Sequence, residues 1–123
     1  MDDKNLVQKE LIKKIVGDAR GAVGIRLCAI GVDLGIFEDL AKNGAATSQE
    51  LADRMGLDER YLREWGLGVF SLGYLDFDKV SRKMSLNKEF IPVLVEEGGK
   101  FSQKGLIELL NSSLLPYHQL LNS

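Results

Sequence analysis

The run Glu64-Trp65-Gly66-Leu67-Gly68 has an acidic-x-Gly-x-Gly spacing. In that pattern glycines let a backbone turn close around a nucleotide-type cofactor. The chemistry needs a buried strand ahead of the glycines, so that the loop opens beside a helix N-terminus. Here the preceding residues, Asp58-Glu59-Arg60-Tyr61-Leu62-Arg63, form an amphipathic helical run. The expectation is therefore two glycines inside a helix, packed closely against a neighbour. His118 is the single histidine, which excludes a multi-histidine metal site within one chain. It has no carboxylate beside it in sequence to orient it as a general base, so it reads as a surface or interface residue. Cys28, the single cysteine, sits in Leu27-Cys28-Ala29-Ile30 and reads as a small buried hydrophobe rather than a nucleophile. Asp2, Asp3, Asp33, Glu38 and Asp39 read as helix caps and solvated faces. No catalytic, cofactor-binding or metal-ligating residue is assigned in this chain.

The elements that would hold these residues fit one domain. The chain has 123 residues, 45% of them hydrophobic and 28% charged, an ordinary globular balance with one core. The net charge of -2 lacks the basic excess of a dedicated nucleic-acid binder. The polar start, Met1 to Asn5, leads into no apolar signal core. No apolar run approaches the roughly 18–20 residues that span a bilayer, so the expectation is a cytoplasmic protein without a membrane partner.

Leu6, Val7, Leu11, Ile12, Ile15 and Val16 recur at helical spacing, with lysines between them. A second helix is expected over Ala19–Asp33, apolar on most sides and interrupted only by Arg26. Such a helix must be covered nearly all round, which in so small a domain implies a partner subunit or second domain. Val16, Val23, Leu27 and Ile30 are the expected self-contact residues. Gly35 permits a turn into a short helix through Ile36, Phe37, Leu40 and Ala41, stopped at Asn43-Gly44.

Thr47-Ser48-Gln49-Glu50 fits a capping box ahead of Leu51, Ala52 and Met55, and Gly56 ends that helix. Asp58 caps the next, whose inward face would hold Tyr61, Leu62, Trp65, Val69 and Leu72. Gly73 ends it. The two make a helix-turn-helix. Period-two alternation over Tyr74–Asp78 and Lys83–Asn87 then predicts a hairpin, packed back through Leu75, Phe77, Met84 and Leu86. A short helix begun at Pro92, a hinge at Glu97-Gly98-Gly99 and a last helix from Ser102 or Gln103, broken at Pro116, complete the chain. The fold class is mainly α: a winged helix-turn-helix with a short two-stranded β-wing and extra N- and C-terminal helices.

Such a fold permits DNA binding, and a winged-helix transcriptional regulator is the alternative reading. The second helix of the pair offers Asp58, Glu59, Arg60, Arg63 and Glu64, an acidic balance unlike a base-reading helix. On the wing, Lys79, Arg82, Lys83 and Lys88 are offset by Asp76, Asp78 and Glu89. Nucleic acid is not the expected partner.

Four stretches, in this order and spacing, carry a resemblance: Leu34–Leu40, Thr47–Ala52, Arg60-Tyr61-Leu62-Arg63-Glu64-Trp65 and Leu72–Leu75. Together, over roughly residues 8 to 95, the chain resembles the N-terminal winged-helix domain of class I S-adenosylmethionine-dependent methyltransferases, in the bacterial small-molecule O-methyltransferase-like branch. The resemblance implies homodimerisation and a roof over the substrate pocket. It also implies a following Rossmann-like domain that binds S-adenosylmethionine and performs catalysis. Residues 1–99 are then expected to form the dimerisation domain, and 100–123 a helix linking toward a catalytic domain not in this chain. On that expectation the chain alone is inactive and binds no cofactor.

Overall fold

The computed structural model describes residues 3–113. Helix α1 runs unbroken over Asp3–Asp33. This corrects the expectation of two helices parted near Gly17. Each glycine costs a helix about 1 kcal/mol against Ala, which is too little to break it without a proline. A Lys14–Asp18 ion pair of 2.8 Å also bridges Gly17 one turn apart.

Leu34 and Gly35 donate back to Ile30 and Val32, and Gly35 adopts φ 75°, where a side chain would be strained. The chain then enters α2, Ile36–Asn43, which buries Ile36, Phe37 and Leu40 and stops at Gly44.

The capping box forms as the sequence predicts. Glu50 N–H donates to Thr47 Oγ1 at 3.1 Å, and Thr47 N–H donates to Glu50 Oε1 at 3.3 Å. It opens α3, Ser48–Met55, which ends at a left-handed Gly56. Asp58 Oδ1 accepts from Tyr61 N–H at 3.1 Å and opens α4, Glu59–Ser71. Leu62, Trp65 and Val69 point into the core and Leu72 is half-buried. Tyr61, expected inward, is 46% exposed and borders a hollow shared with Leu27 and Ile30 of α1.

The wing pairs β1, Asp76–Phe77, antiparallel with β2, Met84–Ser85, matching Asp76 to Ser85 and Phe77 to Met84. Met84 also exchanges both backbone hydrogen bonds with Ala46, at 3.0 and 2.7 Å. The hairpin is thereby tied to the segment ahead of α3, which a two-stranded ribbon needs for stability. Leu75 and Met84 are buried, and Phe77 and Leu86 pack on the core's edge, as the alternation predicts.

Beyond the wing, Asn87 caps a 3-10 turn, Lys88–Phe90, that continues into α5, Ile91–Leu94. Helix α6, Lys104–Ser113, packs along α1 and is fixed to the preceding segment by Gln103 N–H on the Val93 carbonyl at 2.9 Å. Leu114, Leu115, Pro116 and His118 lie outside the described residues. One core joins these elements, with Cys28, Ile36, Phe37, Leu51, Leu62 and Val69 fully enclosed. The architecture is a mainly helical winged helix-turn-helix. Among the described residues, no helix is long and apolar enough to cross a membrane.

Candidate functional site

The glycines of the Glu64–Gly68 run lie inside α4, with no strand ahead of them. A Cβ on Gly66 would run into the Met84 sulfur, and one on Gly68 would come within 3.0 Å of Leu27 Cδ1. Their absence of side chain lets the wing close on one flank of α4 and α1 on the other. Between them Trp65 Nε1 donates to the Leu27 carbonyl at 2.9 Å, and its ring packs on Phe37 at 5.4 Å between centroids. The space a cofactor loop would offer is filled with side chains, so this run does not fit a methyl-donor site. Gly31 performs the same service from α1, since a Cβ there would lie 2.5 Å from Phe37 and 2.7 Å from Trp65. Sequence reasoning missed it. A glycine inside an almost wholly apolar helix was the available signal.

The outer face of α4 is closed electrostatically. Arg60 pairs with Glu64 at 3.3 Å and Arg63 with Glu59 at 3.8 Å, and Ser48 Oγ donates to Glu59 Oε2 at 2.6 Å. Both arginines of α4 are thus paired with carboxylates of their own helix, Arg63 more loosely than Arg60. A phosphate would have to displace those partners. On the wing, Asp78 Oδ1 is occupied by the Val80 and Ser81 amides, at 2.8 and 3.2 Å.

Cys28 is enclosed on the buried face of α1. Burial pushes its thiol up to about 11, with a hydrogen-bond contact to Tyr74 acting in the opposite direction. Burial likewise raises the Tyr74 hydroxyl, and the neighbouring thiol adds to the rise. A thiol held protonated is inert, in keeping with a packing role. Among the described residues, no group of three or more acidic, histidine or cysteine side chains is placed to hold a metal ion.

What the fold leaves open is apolar. Leu6, Val7, Leu11, Ile12, Ile15, Val16 and Val23 are all exposed along α1, Val16 at 52% and Val23 at 54%. Between α1 and α4 runs a groove of about 320 Å³, lined by Val16, Ala19, Arg20, Val23, Leu27, Gly68, Ser71 and Leu72. A second hollow of about 270 Å³ follows, lined by Leu27, Ile30, Tyr61, Glu64 and Trp65. The four residues singled out from the sequence therefore fall on one line along α1, with Leu27 shared by both hollows. They are not equivalent. Val16 and Val23 stand free, whereas Leu27 and Ile30 are half-buried and pack against the core. Single-chain proteins rarely expose contiguous apolar surface on this scale.

The same arrangement of helices recurs in solved structures. The mitomycin 7-O-methyltransferase MmcR is 19% identical, with a TM-score of 0.69 over 94% of this chain and 32% of its own. PigF, solved with SAH, is 17% identical, with a TM-score of 0.70 over 89% of this chain and 31% of its own. An O-methyltransferase family 2 protein from Planctomyces limnophilus DSM 3776, solved in complex with apigenin, is 25% identical. Its TM-score is 0.64 over 83% of this chain and 30% of its own. The chain thus spans about a third of the length of these structures. No curated protein matches it by sequence. The profile of the Rv2258c-like winged HTH domain matches residues 21–95, the stretch from the buried half of α1 through α5. With helix-turn-helix, wing and flanking helices in that order, the chain belongs to the Rv2258c-like winged helix-turn-helix domain family.

Proposed function

We propose that this domain is the dimerisation and substrate-lid part of a cytoplasmic S-adenosylmethionine-dependent O-methyltransferase acting on a small molecule. Residues 1–99 form the pairing unit, and residues 100–123 lead toward a Rossmann-like catalytic domain. That domain supplies the donor site, which the helical Gly66 and Gly68 do not fit. The observation that carries the reading is the uncovered apolar face of α1 and its groove against α4. The fold shared with O-methyltransferases supports it. A second chain laid on this face would remove that surface from water, the main favourable term in association.

Sedimentation velocity across a concentration series tests the pairing. The expected result is a two-chain species that Val23→Asp converts to single chains, because an unpaired carboxylate is costly to bury. Val23 is exposed in the isolated domain, so this substitution leaves the fold intact and separates lost pairing from lost folding. A single-chain species at every concentration would overturn the reading. Binding to random duplex DNA that weakens steeply with salt would replace it with the regulator reading.

A further inference from the structure

The small hollow where α3, α4 and the wing meet is lined by Ser48, Arg63, Leu67, Phe77, Arg82 and Met84. It lies apart from the α1 face and does not depend on the pairing proposed above. We propose that it binds the carboxylate of a small aromatic acid.

Three observations carry this. Two arginines from different elements, Arg63 of α4 and Arg82 of the wing, border one hollow. Glu59 is the carboxylate engaged with this lining. It already accepts from Ser48 Oγ at 2.6 Å and holds Arg63 only loosely, at 3.8 Å. Arg82 has no side-chain hydrogen bond or ion pair among the described residues, so the hollow keeps a positive balance. Second, Arg82 sits at φ 60°, the one non-glycine residue with positive φ among those described. A long side chain in the left-handed region is uncommon, because the Cβ crowds the following carbonyl. Its backbone is fixed there by Arg82 N–H on the Asp78 carbonyl at 2.7 Å, while Asp78 N–H reaches back to Lys83 at 3.0 Å.

Third, size and polarity select the ligand. The enclosed volume is about 30 Å³. At about 10–15 Å³ for each water-sized group, that seats a carboxylate and excludes a ring. The ring would rest outside, on Leu67 and Phe77, the latter packed against Phe70 at 5.8 Å. A planar carboxylate suits the forked donors that an arginine presents. A bulkier, fully hydrated phosphate gains nothing from the apolar rim.

Titration of the whole chain with benzoate, followed by amide chemical shifts, tests the site. Saturable shifts at Ser48, Leu67 and Met84 are expected, with a dissociation constant on the order of 1 mM. Arg82→Gly relieves the strained backbone and so keeps the fold, but should weaken benzoate about tenfold or more. Arg63→Gln should also weaken it, Arg82→Lys should weaken it less than Arg82→Gly, and inorganic phosphate should bind less tightly than benzoate. Absence of saturable shifts, an affinity unchanged in Arg82→Gly, or phosphate binding as tightly as benzoate would each overturn the proposal.

Discussion

Gly31→Ala and Gly21→Ala are the same change in the same helix, and the structure assigns them opposite signs. A methyl at Gly31 would sit 2.5 Å from Phe37 Cε2 and 2.7 Å from Trp65 Cζ2. Carbon atoms prefer about 3.5–4.0 Å, so each ring must retreat by roughly 1 Å. Neither can do so freely. Phe37 is enclosed, and Trp65 is tethered to the Leu27 carbonyl at 2.9 Å. Overpacking of this kind costs about 1–3 kcal/mol, and two anchored rings place it at the upper end. Alanine returns about 1 kcal/mol of helix propensity, leaving a net loss of about 2 kcal/mol. At Gly21 nothing lies within 4 Å, so only the propensity gain of about 1 kcal/mol remains. At about 4 °C per kcal/mol for a domain near this size, Gly31→Ala should lower Tm by about 8 °C and Gly21→Ala raise it by about 4 °C. Thermal melts followed by circular dichroism at equal chain concentration measure both. A Gly31→Ala protein as stable as the parent would refute the packing argument.

Three further outcomes follow from local chemistry. Thr47→Ala should cost about 1 kcal/mol in urea unfolding, the usual loss of a side-chain cap. The Thr47 backbone and hydroxyl hold Glu50 below its ordinary value of 4.5, so its stabilisation is present at neutral pH and lost as pH falls through the lowered value. Glu50→Gln keeps an oxygen for the cap and should flatten that acid limb, whereas an unchanged limb would assign the loss to another carboxylate. The Cys28 thiol rises from 9.0 to about 11, so its contribution is complete below pH 9 and declines between there and about 11, as the unfolded chain ionises first. Maleimide labelling at neutral pH should accordingly be slow in the folded protein and fast in denaturant; rapid labelling without denaturant would place Cys28 at the surface.

What could be read from sequence was local. The Thr47–Glu50 box, the Asp58 cap and the stops at Gly44 and Gly56 are decided by residues within one turn of each other, and all appear as expected. The period-two alternation likewise identified the wing and the contacts of Leu75 and Met84. Failed or missing expectations involve residues far apart. The continuity of α1 past Gly17 is a sum of small helical preferences that no single residue announces. Tyr61 has the spacing of an inward residue, yet it ends at the rim of a hollow beside α1, which its own helix does not decide. The notch at Gly31, the Trp65–Leu27 hydrogen bond and the Ala46–Met84 bridge each join segments more than five residues apart. For the candidate site, the sequence proposed Val16, Val23, Leu27 and Ile30 as one contact set, and it did not distinguish the exposed pair from the pair packed on the core.

The portion of α1 from Lys4 to Val23 extends over about 30 Å with no enclosed side chain along it. A helix of that length in water, lacking tertiary cover, is only marginally ordered on its own. Its order is then conditional on company: the rod firms when another surface lies against it and frays when none does. Far-ultraviolet ellipticity per residue would climb as chains are brought together, so the secondary structure of one molecule becomes a gauge of its association.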